Sequence, residues 1–387
     1  MQRIIFILTT LIIVSCNTNK PTQTAATIDG NRITATINDT TKLFFILTDN
    51  NELQLTWDNS ENKRYNSQQR LHYHGELNIP STVMLDNKSY RVTSIGDYAL
   101  YQQRELEKVI IPDGVTYIGE KAFSGCDHII EINIPQSVTS LGEEAFSRCK
   151  RISEIKLPNE LVTIGAYCFR NCVSLHTLSM GEKLETVPQG ALFGCASLTE
   201  VHFPKQLKSI GGEAFSNCLS LRSITLPSQI DSLSNALFAS CESLEDVTLP
   251  ANLETLPADI FNHCSSLKKI NLPTTLKKID EWAFEGCTSL STIDFNDGLE
   301  IIAEGAFAGC ASLKQITLPA SIKSVGSLAF GVSGKIKEVT ILGNKAFEIG
   351  VRSALPQKPA KIYVPRGSID QFQFKPLWKE YFLVERK

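Results

Sequence analysis

Eleven cysteines in a chain of 387 residues invite a search for metal or redox chemistry, because thiolates bind soft metals and exchange disulfides. Nine of them stand at 126, 149, 172, 195, 218, 241, 264, 287 and 310, each 23 residues after the last, with no insertion or deletion. A metal or redox centre needs ligands that converge on one point, whereas residues at a fixed repeat stack in a row, and an odd number cannot pair completely. The spacing therefore predicts a ladder of buried, mostly unpaired thiols, with occasional neighbour disulfides in an oxidising compartment as the minority reading. Cys168 takes a position otherwise held by Ala, one residue before Phe169, and reads as another small core residue. His72 and His74 alternate as strand ligands would, but two histidines alone are weak evidence and no metal site is assigned. Glu131, Glu154 and Glu200 share one register, so neighbouring coils would set carboxylates about 5 Å apart, the separation of a retaining glycosidase pair. Nothing in the surrounding sequence supplies a pocket, and the reading is of a non-enzymatic chain with no cofactor.

These residues are positioned by the repeat that carries them. Three residues before each ladder cysteine stands a large apolar side chain: Phe123, Phe146, Phe169, Leu192, Phe215, Phe238, Phe261, Phe284 and Phe307. Apolar residues recur after each cysteine at +3, +6, +8, +12 and +15, as in Leu267, Ile270, Leu272, Leu276 and Ile279 after Cys264. Apolar +6 and +8 between polar +5 and +7 predict a short strand buried on one face, ended by the Pro common at +9, which has no N–H to give. The Ala-Phe-x-x-Cys-x-x-Leu spacing predicts one helical turn with an apolar stripe, often entered through Gly after +15. One unit cannot bury its apolar face alone, and stacking about 4.8 Å apart pairs successive strands into one parallel sheet. Weaker cycles with Leu100 and Gln103, and with Phe330 and Ser333, flank the array.

The ends differ in composition. Arg3 precedes an apolar run, Ile4 to Val14, too short for a spanning helix but right for an export signal. Ile13-Val14-Ser15-Cys16 resembles a bacterial lipobox, and the resemblance implies that Cys16 becomes the lipidated first residue of the mature protein. Residues 1–16 are thus the lipoprotein signal, and 17–41, rich in Thr, Asn and Gln, read as a flexible linker. Residues 42–76 form a cap: Leu43 to Leu47, the turn Asp49-Asn50-Asn51, then Leu53, Leu55 and Trp57 at alternate positions predict a β-hairpin.

The string Cys-x-x-Leu-x-x-Ile-x-Leu-Pro-x-x-Leu-x-x-Ile-Gly-x-x-Ala-Phe resembles the BspA-type leucine-rich repeat, as in Cys310-Ala311-Ser312-Leu313-Lys314-Gln315-Ile316-Thr317-Leu318-Pro319. It covers residues 77–342. Leu77-Asn78-Ile79-Pro80 with Val92-Thr93-Ser94-Ile95-Gly96 is similar to the family's first coil, with nine extra residues for a hairpin around Asp86-Asn87. Ile362-Tyr363-Val364-Pro365 with Trp378, Tyr381 and Phe382 is similar to its aromatic-rich terminal cap, residues 343–387. The resemblance implies an α/β repeat fold, a right-handed leucine-rich-repeat solenoid, on an exported protein that binds other macromolecules, and it carries no catalytic motif.

A formal charge of −3 gives no general attraction to nucleic acid. The variable surface is left for binding. Outward strand positions hold Glu131, Asn133, Glu154, Lys156, Glu200, His202, Asp246 and Lys269, a polar, mixed-charge face suited to a folded protein. Tyr167 and Trp282, two residues before the Phe register, are read either as exposed anchors or as side chains packed over a neighbouring coil. The expectation is a monomer tethered to the outer membrane by lipid, facing outward and binding a host matrix or envelope protein. A periplasmic scaffold is the alternative, since Asn17-Thr18-Asn19-Lys20 lacks the acidic residues common after the lipidated cysteine of surface-exposed lipoproteins; an envelope hydrolase ranks third.

Overall fold

A computed structural model describes residues 25–37, 41–57, 72–333, 335–352, 354–356 and 360–386. The lipobox with Cys16 and the polar loop at 59–69 lie outside them. Stacked coils bury one continuous apolar core from Ile33 to Tyr381, with the cysteines, the Phe register and the predicted +3, +12 and +15 residues inside. After Cys264, for example, Leu267, Leu276 and Ile279 are fully buried.

The coils are held by two parallel ladders instead of the one expected. The first runs through the predicted +5 to +7 strands, as where Glu154–Lys156 pairs with Thr177–Ser179 and that with Glu200–His202. The second uses +14 and +15, as where Ser140–Leu141 pairs with Tyr117–Ile118 on one side and Thr163–Ile164 on the other. The apolar +12 and +15 positions were visible as core, but the two-residue strand between them is too short to produce an alternation of its own.

The predicted helical turn is absent, so the repeat is a β-solenoid and not an α/β unit. Two positions in every coil have positive φ: one five residues before the cysteine register, from Tyr98 to Leu328, and one just before it, from Gln102 to Val332. Each occurs eleven times in the described residues, always 23 residues apart. A left-handed residue every few positions breaks a right-handed helix. The freed amides alternate in direction. Lys121, Phe123 and Gly125 donate to the carbonyls of Glu143, Ala145 and Ser147 in the next coil, each at 2.8 Å, while Ala122, Ser124 and Cys126 donate back within their own coil.

At the N-terminus, β1 (Ala25–Asp29) and β2 (Arg32–Ile37) form an antiparallel pair inside the stretch read as a linker. Ile33, Ala35 and Ile37 point into the core, and the Thr between them is β-branched and at home in a strand although it counts as polar in composition. β3 (Thr41–Leu47) and β4 (Leu53–Thr56) make the predicted hairpin, extended by β2 on the far side of β3. β5 (His74–Asn78) already belongs to the first ladder, pairing with Glu105–Ile110. β6 (Thr82–Leu85) and β7 (Lys88–Ile95) form the predicted hairpin, turning at Asp86 and Asn87, both with positive φ. At the other end, Lys361–Val364 and Phe382–Glu385 extend the first ladder, and α1 (Ile369–Gln373) folds over the last coil. Trp378 is fully buried against Phe347 and Phe372, and its indole N–H donates to the Phe347 carbonyl at 3.2 Å. No helix among the described residues is long and apolar enough to cross a membrane.

Candidate recognition surface

The residues with the strongest chemical potential are committed to architecture. All ten described cysteines are free thiols and buried. Each ladder thiol donates to the backbone carbonyl 26 residues earlier, as from Cys149 to Phe123 at 3.3 Å and from Cys241 to Phe215 at 3.0 Å. Ser333, at the same register after the array, makes the same bond to Phe307 at 3.0 Å, so the position selects a small buried donor. Burial pushes the thiols of Cys126, Cys172, Cys241 and Cys310 up to about 12, and those of Cys149, Cys195, Cys218, Cys264 and Cys287 well above the ordinary range. A thiol held protonated is a poor nucleophile and a poor metal ligand. Beside the sulfurs, the Phe rings stack coil on coil with centroids 5.0 to 5.7 Å apart, interrupted at Leu192.

The outward strand residues lie where the pattern put them. Glu131, Asn133, Glu154, Lys156, Glu200, His202, Asp246 and Lys269 are all exposed. They form a strip of local pairs: Glu131 meets Lys108 of the preceding coil at 3.1 Å, while Glu154 meets Lys156 at 3.2 Å and Glu200 meets His202 at 3.4 Å. Such exposed pairs contribute little to stability and exchange partners readily. Asp246 and Lys269 have no ion-pair partner among the described residues. Asn133 has a further task. Its side-chain amide donates to the Ile111 carbonyl and accepts from the Ile111 N–H, both at 2.8 Å, which continues the ladder where Glu131–Ile132 ends. Farther along, Asp294, Asp297, Gln315 and Thr317 border a hollow of about 250 Å³. The His74 imidazole lies against the Glu105 carboxylate, and no group of three or more metal-ligating side chains occurs among the described residues.

Tyr167 and Trp282 occupy the first positive-φ register, each at φ 56°. Both are half-buried, and each covers a glycine of the next coil. A Cβ on Gly190 would lie 2.1 Å from the Tyr167 ring, and one on Gly305 would lie 2.1 Å from the Trp282 ring. They are therefore packed over neighbouring coils and only partly exposed. The sequence carried a signal for this, an aromatic residue followed one period later by Gly. Sequence reasoning missed Arg170 and Phe193: the Arg170 guanidinium carbon lies 5.4 Å from the ring centroids of both Tyr167 and Phe193.

The model of the BspA type leucine rich repeat region matches residues 93–219, 164–290 and 234–352. Comparison with curated proteins finds no match. Among solved structures, a leucine-rich repeat protein from Bacteroides ovatus is 21% identical, with 94% of this chain and 98% of that chain covered and a TM-score of 0.60. The pneumococcal vaccine antigen PcpA is 19% identical, covering 94% of this chain and 99% of that one, with a TM-score of 0.54. Both likenesses are of fold.

Proposed function

The chain belongs to the BspA-type leucine-rich repeat family, and from that premise we propose that it is a non-enzymatic, lipid-anchored cell-envelope protein whose solenoid surface recognises another protein, in adhesion or assembly. The observation that carries this reading is the division of labour in each coil. Thiols, aromatic rings and backbone donors are consumed in stacking, whereas a long strip of mixed charge faces outward over many coils. A surface of this kind suits a folded partner, because its pairs can be exchanged for intermolecular ones along a wide area. Lipidation at Cys16 would tether the chain without a spanning helix, each buried methylene adding about 0.8 kcal/mol of membrane affinity. PcpA, a vaccine antigen by name, carries the same fold, which favours presentation outside the cell.

The test has two parts. Protease added to intact cells is expected to remove the protein, and a chain from residue 17 onward is expected to capture host matrix or envelope proteins. Replacing Glu131, Glu154, Lys156, Glu200, His202, Asp246 and Lys269 by Ser should abolish that capture without unfolding the chain. Equal capture by both versions would overturn the role of the strand face. Survival of the protein until the outer membrane is opened would move it to the periplasm, the second reading, which the non-acidic Asn17-Thr18-Asn19-Lys20 favours.

A further inference from the structure

Resting on the reading of this chain as a protein-binding surface, we propose that the turn side around Arg170 is an anchor site for a single acidic side chain, an Asp or Glu set among apolar neighbours on a protein partner. Arg170 is gripped by rings and not by hydrogen bonds. Its guanidinium lies over Tyr167 and over Phe193 of the next coil, its Nε is buried without a hydrogen-bond partner, and no carboxylate pairs with it among the described residues. Aromatic faces hold a guanidinium through its own face, which, with Nε buried, leaves the terminal N–H groups for a planar acceptor. The clamp is fixed in place, because the Tyr167 ring packs against Gly190, with the Tyr167 backbone at φ 56°. Preorganisation of this kind lowers the ordering cost of binding.

A comparable cation on the same side is already satisfied. Lys121 lies 5.6 Å over the Tyr98 ring and is paired with Glu120 at 2.9 Å and Glu144 at 3.5 Å. Around Arg170 the balance differs. Arg148, whose amide donates to the Arg170 carbonyl at 2.7 Å, and Arg151 are exposed, and neither has an ion-pair partner among the described residues. Arg170 is thus an arginine with no carboxylate partner among the described residues, held beside fixed aromatic rings, the residue types that dominate binding hot spots.

The borders of the site decide the class of partner. Burial and then the Glu213 charge raise the Tyr167 phenol above its ordinary value, with Glu143 and Glu144 adding to the effect. These carboxylates disfavour a sulfated glycan carrying charge on every sugar more than a segment with a single carboxylate. Val173 and Leu219, which are 38% and 40% exposed at one register two coils apart, supply an apolar rim that favours a protein segment.

The test follows the Arg170 Nε–H signal by NMR in the chain from residue 17, titrated with acetyl-Phe-Glu-Phe-amide, its Gln analogue, and a heparin tetrasaccharide. The Glu peptide is expected to shift the signal saturably and about fivefold or more tighter than the Gln peptide. Arg170→Lys and Tyr167→Asn, the latter tolerating positive φ, should each weaken binding of the Glu peptide about fivefold in calorimetric titration, with folding checked by circular dichroism. No saturable shift, equal response to both peptides, or preference for the tetrasaccharide would each overturn the proposal. The capture assay for the strand face reads independently of this one, so either proposal can fail alone.

Discussion

On the turn side of the solenoid the buried side chains repeat: Phe and Cys return every 23 residues, as does the backbone at the positive-φ positions, and the Phe rings stack on their own counterparts. On the outer strand side the coils return with the same period, although the strand pairing lapses at residues 269–271 and 292–294, and Glu131, Glu154, Thr177, Glu200, Ser223, Asp246 and Lys269 follow one another at a single register. The contrast teaches where selection by the fold ends. A side chain that must stack on its own copy is dictated by the coil, and one that points to solvent is free to suit a partner. Tyr167, Arg170 and Trp282 stand at turn-side registers whose backbone repeats while the side chains vary, as Lys121, Glu144 and Glu213 at the register of Tyr167 show.

The largest effect that can break this comparison is alkaline unfolding. In the unfolded chain a thiol ionises from about pH 8.5, whereas Cys126, Cys172, Cys241 and Cys310 stay protonated when folded until about 12. The unfolded state then binds fewer protons, so stability is intact below about pH 8.5 and falls as pH rises toward 12. Urea midpoints taken at rising pH should fall steeply, and Cys264→Ser, which keeps a donor for Phe238, should make the slope shallower by one proton. A flat profile would mean that the thiols are not buried.

Next in size is the spine itself. Phe261→Ala removes a fully buried ring stacked on both Phe238 and Phe284, and should cost about 3–5 kcal/mol in urea unfolding. Gly305→Ala introduces a Cβ into the Trp282 ring at φ 62° and should cost about 2 kcal/mol, with the loss reduced when Trp282 is replaced by Asn. A double-mutant cycle checks that coupling. Smallest is Asn133→Ala, which loses both bonds to Ile111 and should cost about 1–2 kcal/mol; a loss near zero in thermal unfolding would return Asn133 to the freely variable face.

The period was legible because nine cysteines keep it without a gap, and from it followed the buried registers and the first ladder, while the first hairpin was read from local alternation and its turn residues and the second from the resemblance to the family's first coil. The missing helix was not legible. Ala, Phe, Cys and Leu at spacings of one, three and three suit any chain reversal that buries the same side, and the difference lies in φ. A hint was present in Gly125, Asn171, Gly194, Asn217, Gly286 and Gly309, all at the register before cysteine, where Gly and Asn accept positive φ. The strands at 25–37 were hidden because composition counts Thr as polar while a strand accepts it as β-branched. The roles of Asn133 and Arg170 were out of reach for another reason. Their partners Ile111 and Phe193 lie one coil away, so contact depends on how the coils are stacked.

The most direct measurement is a saturation scan of residues 241–287 in the full chain, scored for folding by protease resistance. The account predicts losses that recur at the cysteine, three residues before it, and at +3, +6, +12 and +15. Asp246, Thr248, Lys269 and Asn271 should tolerate most replacements within about 0.5 kcal/mol. Losses at those four exposed positions as large as at Cys264 and Phe261 would contradict the division between a dictated spine and a free face.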